Sequence, residues 1–151
     1  MTRDIHVETD RSFSPEAYAE LMAAVHRDET SRYPGATLRA ALQAYHFVAH
    51  VRSEAGVLVG YLCAFSDGVF ATFVGELVVQ TRARGGGIGA ALLESIESVW
   101  PGVPVYALGF RDTRAFFERQ GYCEPPCPLD VLTKLDTWPE GDAITLDASE
   151  G

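Results

Sequence analysis

Residues 84–90 read Arg-Gly-Gly-Gly-Ile-Gly-Ala, and the apolar run Leu77-Val78-Val79 stands a few positions before them. From Gly87 onward Ile88, Leu92, Leu93, Ile96, Val99 and Trp100 recur at helical spacing. A strand that passes through a glycine turn into a helix gathers unpaired backbone N–H groups and the positive end of the helix dipole at one place. That place holds anions. Glycines let phosphate oxygens reach the backbone, and Arg82 and Arg84 put two positive charges beside the turn in a chain of formal net charge −9. The chemistry indicated is capture of a phosphate-bearing ligand.

Two familiar phosphate loops are tested first. A Walker A loop is excluded, because no Lys-Ser/Thr follows the last glycine. The dinucleotide fingerprint G-x-G-x-x-A is met by Gly85, Gly87 and Ala90, but that motif opens a strand–helix–strand unit. Here it follows a run of hairpin-linked strands, which argues against it. A bare flexible turn is a poor reading of Gly85, Gly86, Gly87 and Gly89 set beside two arginines at a helix start.

The elements that must position this turn are legible along the chain. A short strand is expected over 4–8. Ser14 as N-cap and Pro15 in the first turn then start a helix, with Tyr18, Leu21, Met22 and Val25 on one face. The polar stretch 27–32 ends it, Tyr33-Pro34-Gly35 turns, and a shorter helix is expected over 37–44. Strand signals follow at 46–51, 57–65 and 70–79, separated by Ser53-Glu54-Ala55-Gly56 and Ser66-Asp67-Gly68. Connections that short allow only an antiparallel meander. After the glycine turn come a helix to Trp100, a strand at 103–108, a short helix at 113–120 and a proline-interrupted stretch toward Leu135.

The bulk properties set limits. At 151 residues, with 47% apolar residues, one soluble domain covering 1–151 is expected, with 136–151 as an acidic tail. The longest nearly apolar run, 57–65, falls well short of the ~20 residues that span a bilayer, and the charged start lacks a signal-peptide pattern. A cytoplasmic location without membrane attachment is the expectation. Three cysteines without a Cys-x-x-Cys pair argue against disulfides or structural zinc. His46 and His50, four residues apart on a strand, are too distant to share an ion, so no metal is assigned. The acidic balance argues against nucleic acid as a partner.

With these elements in place, residues 84–89 resemble the Q/R-x-x-G-x-G/A motif of the GNAT superfamily of N-acetyltransferases, preceded by a Leu-x-Val strand. Residues 112–122, Asp-Thr-Arg-Ala-Phe-Phe-Glu-Arg-Gln-Gly-Tyr, are similar to that family's later segment. The likeness runs from about residue 57 to 122. It implies an α/β (α+β) GNAT-like fold: a mixed, mostly antiparallel central sheet flanked by helices on both faces.

The resemblance also implies a mechanism. Arg84, Gly85, Gly86, Gly87, Ile88, Gly89 and Ala90 would cradle the pyrophosphate of acetyl-CoA, the co-substrate. Main-chain groups of Leu77, Val78 and Val79 would bind the pantetheine arm, and one of their N–H groups would stabilise the oxyanion. Glu76 would accept the proton that a Lys-like amine, with pKa near ~10.4, must lose before attacking. Asp112 stands where the family often has Asn, and Phe117 where it often has a Tyr that protonates the departing thiolate. A phenyl ring cannot donate a proton, so Tyr122, Tyr106 or a water would replace it, or the chain would bind acyl-CoA without turnover. The implied reaction is direct transfer to a primary amine, small-molecule or peptide. Tyr33, Tyr45 and His46 fall near the acceptor side of such folds or simply pack helices. Monomer and homodimer both remain open.

Overall fold

The computed structural model describes residues 4–27, 32–109 and 111–134. Helix α1 spans Pro15–Ala24, α2 Gly35–Ala44, β1 Phe47–Arg52, β2 Leu58–Ser66, β3 Thr72–Val79, α3 Ile88–Val99, β4 Val105–Ala107 and α4 Arg114–Arg119. Ser14 caps α1, its hydroxyl accepting from Ala17 N, with Pro15 at the first helical position. The sheet order is β1-β2-β3-β4; β1, β2 and β3 pair antiparallel, and β4 lies parallel to β3. The mixed sheet with helices on both faces is the architecture expected.

Alternation along the strands divides the core in two. Val48, Tyr61, Cys63 and Val78 face α1 and α2, packing on Tyr18, Leu21, Met22 and Leu42. Phe47, Ala49, Val51, Val59, Leu62 and Ala64 face α3, against Leu92, Leu93 and Ile96. Both faces are therefore buried, and this is why 58–64 reads as an unbroken apolar run instead of an alternating one.

Some boundaries differ from those expected. Residues 4–8 make only one bridge, Glu8 with His50, although Ile5 and Val7 pack on the α3 side. Alternating apolar residues suffice to bury side chains without forming a ladder. Helix α1 ends at Ala24, before the polar stretch, and α2 begins at Gly35. The third strand starts at Thr72, because Asp67 Oδ1 accepts from the N–H groups of Val69, Phe70 and Ala71 and folds them into the turn. Leu135, Trp138 and the acidic tail lie outside the described residues.

Candidate active site

The register of β2 against β3 shifts by one residue: Cys63 opposes Glu76, whereas Ala64 opposes Val74. Gly75 is the extra residue, a β-bulge. A Cβ there would stand 2.7 Å from Tyr45 Cε1 and 3.1 Å from Cys63 Sγ, so only glycine fits. The bulge has two effects. It turns Glu76 to the α1–α2 face, and it adds twist where β3 last pairs with β4, at Val74 and Ala107. Beyond that rung, where β4 ends at Ala107, β3 continues to Val79 paired with β2 alone, so among the described residues its other edge carries no ladder and borders a gap in the sheet.

Leu77, Val78 and Val79 form the β3 side of the gap. Gln80 N donates to Val59 O of β2 at 2.8 Å. By the alternation of extended backbone, the N–H groups of Leu77 and Val79 then point away from β2, into the gap. The Val78 side chain is buried under α1, and those of Leu77 and Val79 pack on the α3 side. Backbone and side chains of the same residues thus face different surroundings.

At the end of β3 a short 3₁₀ turn over Thr81–Ala83 leads to Arg84, whose Nε donates to Val79 O at 3.1 Å. Gly85 and Gly87 have φ of +81° and +89°, and Gly87 caps α3 without a side-chain hydrogen bond. The first bond into α3 from the turn is Ala91 N to Gly87 O. The N–H groups from Gly85 to Ala90 donate to no described protein group, and residues 84–87 are exposed. Ile88 and Gly89 hold the helix close: Cβ atoms at Gly60 and Gly89 would approach Ile88 Cγ2 to 2.7 Å and the Phe116 ring to 2.9 Å. The donors, the dipole and the missing side chains fit a diphosphate.

Glu76 accepts a 2.8 Å hydrogen bond at Oε2 from the Tyr18 hydroxyl on α1. Burial, and next the Glu76 charge, push the Tyr18 phenol well above its ordinary range. The Cys63 thiol opposite Glu76 is pushed up to about 12, first by burial and then by the carboxylate. A thiol so protonated is a poor nucleophile.

Phe117 and Tyr122 lie on the other face, in the α3-side cluster, with rings 5.4 Å apart. Gly121 at φ +89°, with Tyr122 N bonded to Phe117 O and Gly121 N to Glu118 O, folds the chain back so that they meet. Burial, then the Glu97 charge, raises the Tyr122 phenol, so its proton is retained near neutrality. Tyr106, by contrast, stacks on Phe73 on the Glu76 face. Asp112 is exposed in the 3₁₀ turn before α4. Glu76 and Tyr122 are therefore on opposite sides of the sheet.

Sequence reasoning passed over the bulge and Tyr18. A lone glycine inside a strand pattern was the available signal for the first; the second joins residues 58 positions apart and leaves no local trace. One group among the described residues has metal-ligand spacing, Glu8, Asp10 and His50. His50 Nε2 lies 3.0 Å from Asp10 Oδ1 and 3.6 Å from Glu8 Oε2, while its Nδ1 is buried without a partner. A metal on Nε2 would force the proton onto Nδ1, where nothing accepts it. The arrangement suits Nε2–H as a donor, clasping residues 8–10 to β1. His46 Nδ1 accepts from Ser66 N instead.

A model of the GNAT acetyltransferase domain matches residues 42–124. The chain belongs to the GNAT family of acetyltransferases. That family gives its enzyme class, an N-acetyltransferase. A GNAT-family protein from Xanthomonas campestris is 19% identical, with 89% of this chain and 95% of that one covered at a TM-score of 0.72. A GNAT acetyltransferase from Streptococcus pneumoniae is 18% identical over 87% and 98% of the two chains, at 0.67. An aminoglycoside acetyltransferase from an uncultured soil sample is 20% identical over 87% and 100%, at 0.63. At these identities the likeness is one of fold. No curated protein matches. None of the helices among the described residues of this GNAT chain is long and apolar enough to cross a membrane.

Proposed function

We propose that this chain transfers an acetyl group from acetyl-CoA to a primary amine by direct attack within a ternary complex. The observation that carries the reading is the parting of β3 from β4 at the Gly75 bulge, with a carboxylate at the opening and an anion cradle at the far end of the same strand. Arg84 to Ala90 would hold the diphosphate, and the N–H groups of Leu77 and Val79 the pantetheine arm and the oxyanion.

Glu76 takes the amine proton, directly or through water, and Tyr18 fixes the orientation of its carboxylate. Tyr122 is the proposed proton donor to the thiolate. The amine adds to the face of the thioester carbonyl and the thiolate then leaves the tetrahedral carbon, so base and acid act in separate steps and need not share a side of the sheet. Asp112 and Phe117 are proposed to border the cofactor. The free cysteines Cys63, Cys123 and Cys127 agree with work in the reducing cytoplasm, and one domain over 1–151 with an amine-bearing small molecule or peptide as acceptor completes the proposal.

Phe117 favours a second reading, an acyl-CoA-binding module without turnover. A thiol-release assay with acetyl-CoA across an amine panel, paired with a calorimetric binding control, separates the two. Turnover supports transfer; saturable binding with no turnover for any amine rejects it in favour of the second reading; absence of binding rejects both.

A further inference from the structure

The face that carries Glu76 also carries aromatic side chains that the core does not absorb. Phe65, Phe73 and Tyr106 are 40%, 55% and 40% exposed. They form a continuous row with half-buried Tyr45: the rings of Tyr45 and Phe65 are 4.6 Å apart, and those of Phe73 and Tyr106 are stacked at 5.4 Å with an interplanar angle of 23°. Phe65 and Phe73 oppose each other across β2 and β3. Tyr106 is opposite Phe73 on β4, one rung before the strands part. The row therefore runs up to the mouth of the gap.

We infer that this row binds the body of the acceptor, and that the acceptor is an arylalkylamine, a primary amine joined to a flat apolar ring by a short carbon chain. The inference rests on the transfer reading above and adds a substrate class to it. A ring laid against the exposed Phe73–Tyr106 pair lies three positions along β3 from Glu76, and so within about 10 Å of that carboxylate. A cationic nitrogen belongs beside that carboxylate, and a flat ring belongs on aromatic faces that otherwise meet water. Charge at one end and apolar rings at the other complement both halves of one molecule. Polyamines and lysine side chains, with no ring, would leave the row wet.

The test is acetyl-CoA-dependent thiol release with phenethylamine, and with propylamine as an amine of equal charge without a ring. It is run on the full chain and on Phe73→Ala, Tyr106→Ala and Tyr106→Phe, with amine binding followed by calorimetry. Phenethylamine is expected to have kcat/KM about tenfold higher, mostly through KM. In Phe73→Ala and Tyr106→Ala the ratio falls toward unity with KM for acetyl-CoA unmoved, and Tyr106→Phe keeps the ratio. Equal handling of the two amines overturns the inference and leaves transfer standing, as does a preference that survives both alanine variants. Concentration-dependent dimerisation abolished by Phe73→Ala, without amine preference, gives the row to a second copy and also overturns it. Should no amine turn over, phenethylamine binding lost in Phe73→Ala supports the aromatic site and rejects transfer; no binding rejects both.

Discussion

The Tyr18 hydroxyl reaches Glu76 Oε2 at 2.8 Å, tying the first helix to the mid-sheet carboxylate. Tyr18 also packs edge-on against Tyr61 at 5.3 Å, so Tyr18→Phe removes the hydrogen bond and keeps the packing. The variant is expected to lower kcat by about tenfold, with acetyl-CoA affinity unchanged, and to move the acid limb of the pH–rate profile upward, since a donor to a carboxylate favours its ionised form. Glu76→Gln should lose on the order of 10² to 10⁴ in kcat. Steady-state kinetics across pH measures both.

Gly85 lies at φ +81° with nothing within 4 Å of the point a Cβ would occupy, so Gly85→Ala tests conformation without a clash. Left-handed backbone costs about 1–2 kcal/mol for an alanine. Acetyl-CoA binding is expected to weaken by about tenfold in calorimetry, while the melting temperature falls by only a few degrees.

Gly75→Ala places a methyl group 2.7 Å from Tyr45 Cε1 and 3.1 Å from Cys63 Sγ. Overpacking of this kind costs about 1–3 kcal/mol. Urea unfolding should show that loss, and turnover should fall further than stability alone explains, because the carboxylate moves with the bulge.

Hydrogen bonds from Ser12 and His50 hold the Asp10 carboxyl at about 2, below its ordinary value. A depressed carboxyl contributes stability that is present above its unfolded pKa, near ~3.9, and is lost as pH falls through the folded value. Asp10→Asn should therefore melt lower than the unaltered chain at pH 7, and the difference should close between about pH 5 and pH 2. Thermal melts over that range check the sign.

Cys63 is buried and its thiol is pushed up to about 12, whereas Cys123 and Cys127 are exposed. Iodoacetamide at pH 8 is expected to label the latter two and to reach Cys63 only after denaturation. Intact mass after incubation with acetyl-CoA alone should show no acetyl adduct on Cys63.

Local signals account for what the sequence disclosed. Ser14-Pro15, the two glycine-containing turns and the change of period at Gly87 each act within a few residues, and the corresponding helices and hairpins stand within a residue or two of their expected bounds. The glycine turn that opens α3 was legible for the same reason. The Gly75 bulge was not, because it arises from the fit of Tyr45 and Cys63 across strands. The aromatic row was equally hidden: Phe65, Phe73 and Tyr106 look like core strand residues in the sequence, and only their exposure in the fold sets them apart. Residues 4–8 mislead in the opposite sense, alternating like a strand while pairing only at Glu8.

One surplus residue in β3 sets the local twist beside β4, immediately before Glu76 on the α1–α2 face. Excising position 75 would set Val74 and Glu76 in regular succession opposite Ala64 and Cys63, a ladder with the carboxylate still on the α1–α2 face and without the added twist beside β4. A chain that lost this irregularity would keep its carboxylate in place and forfeit the added twist beside it.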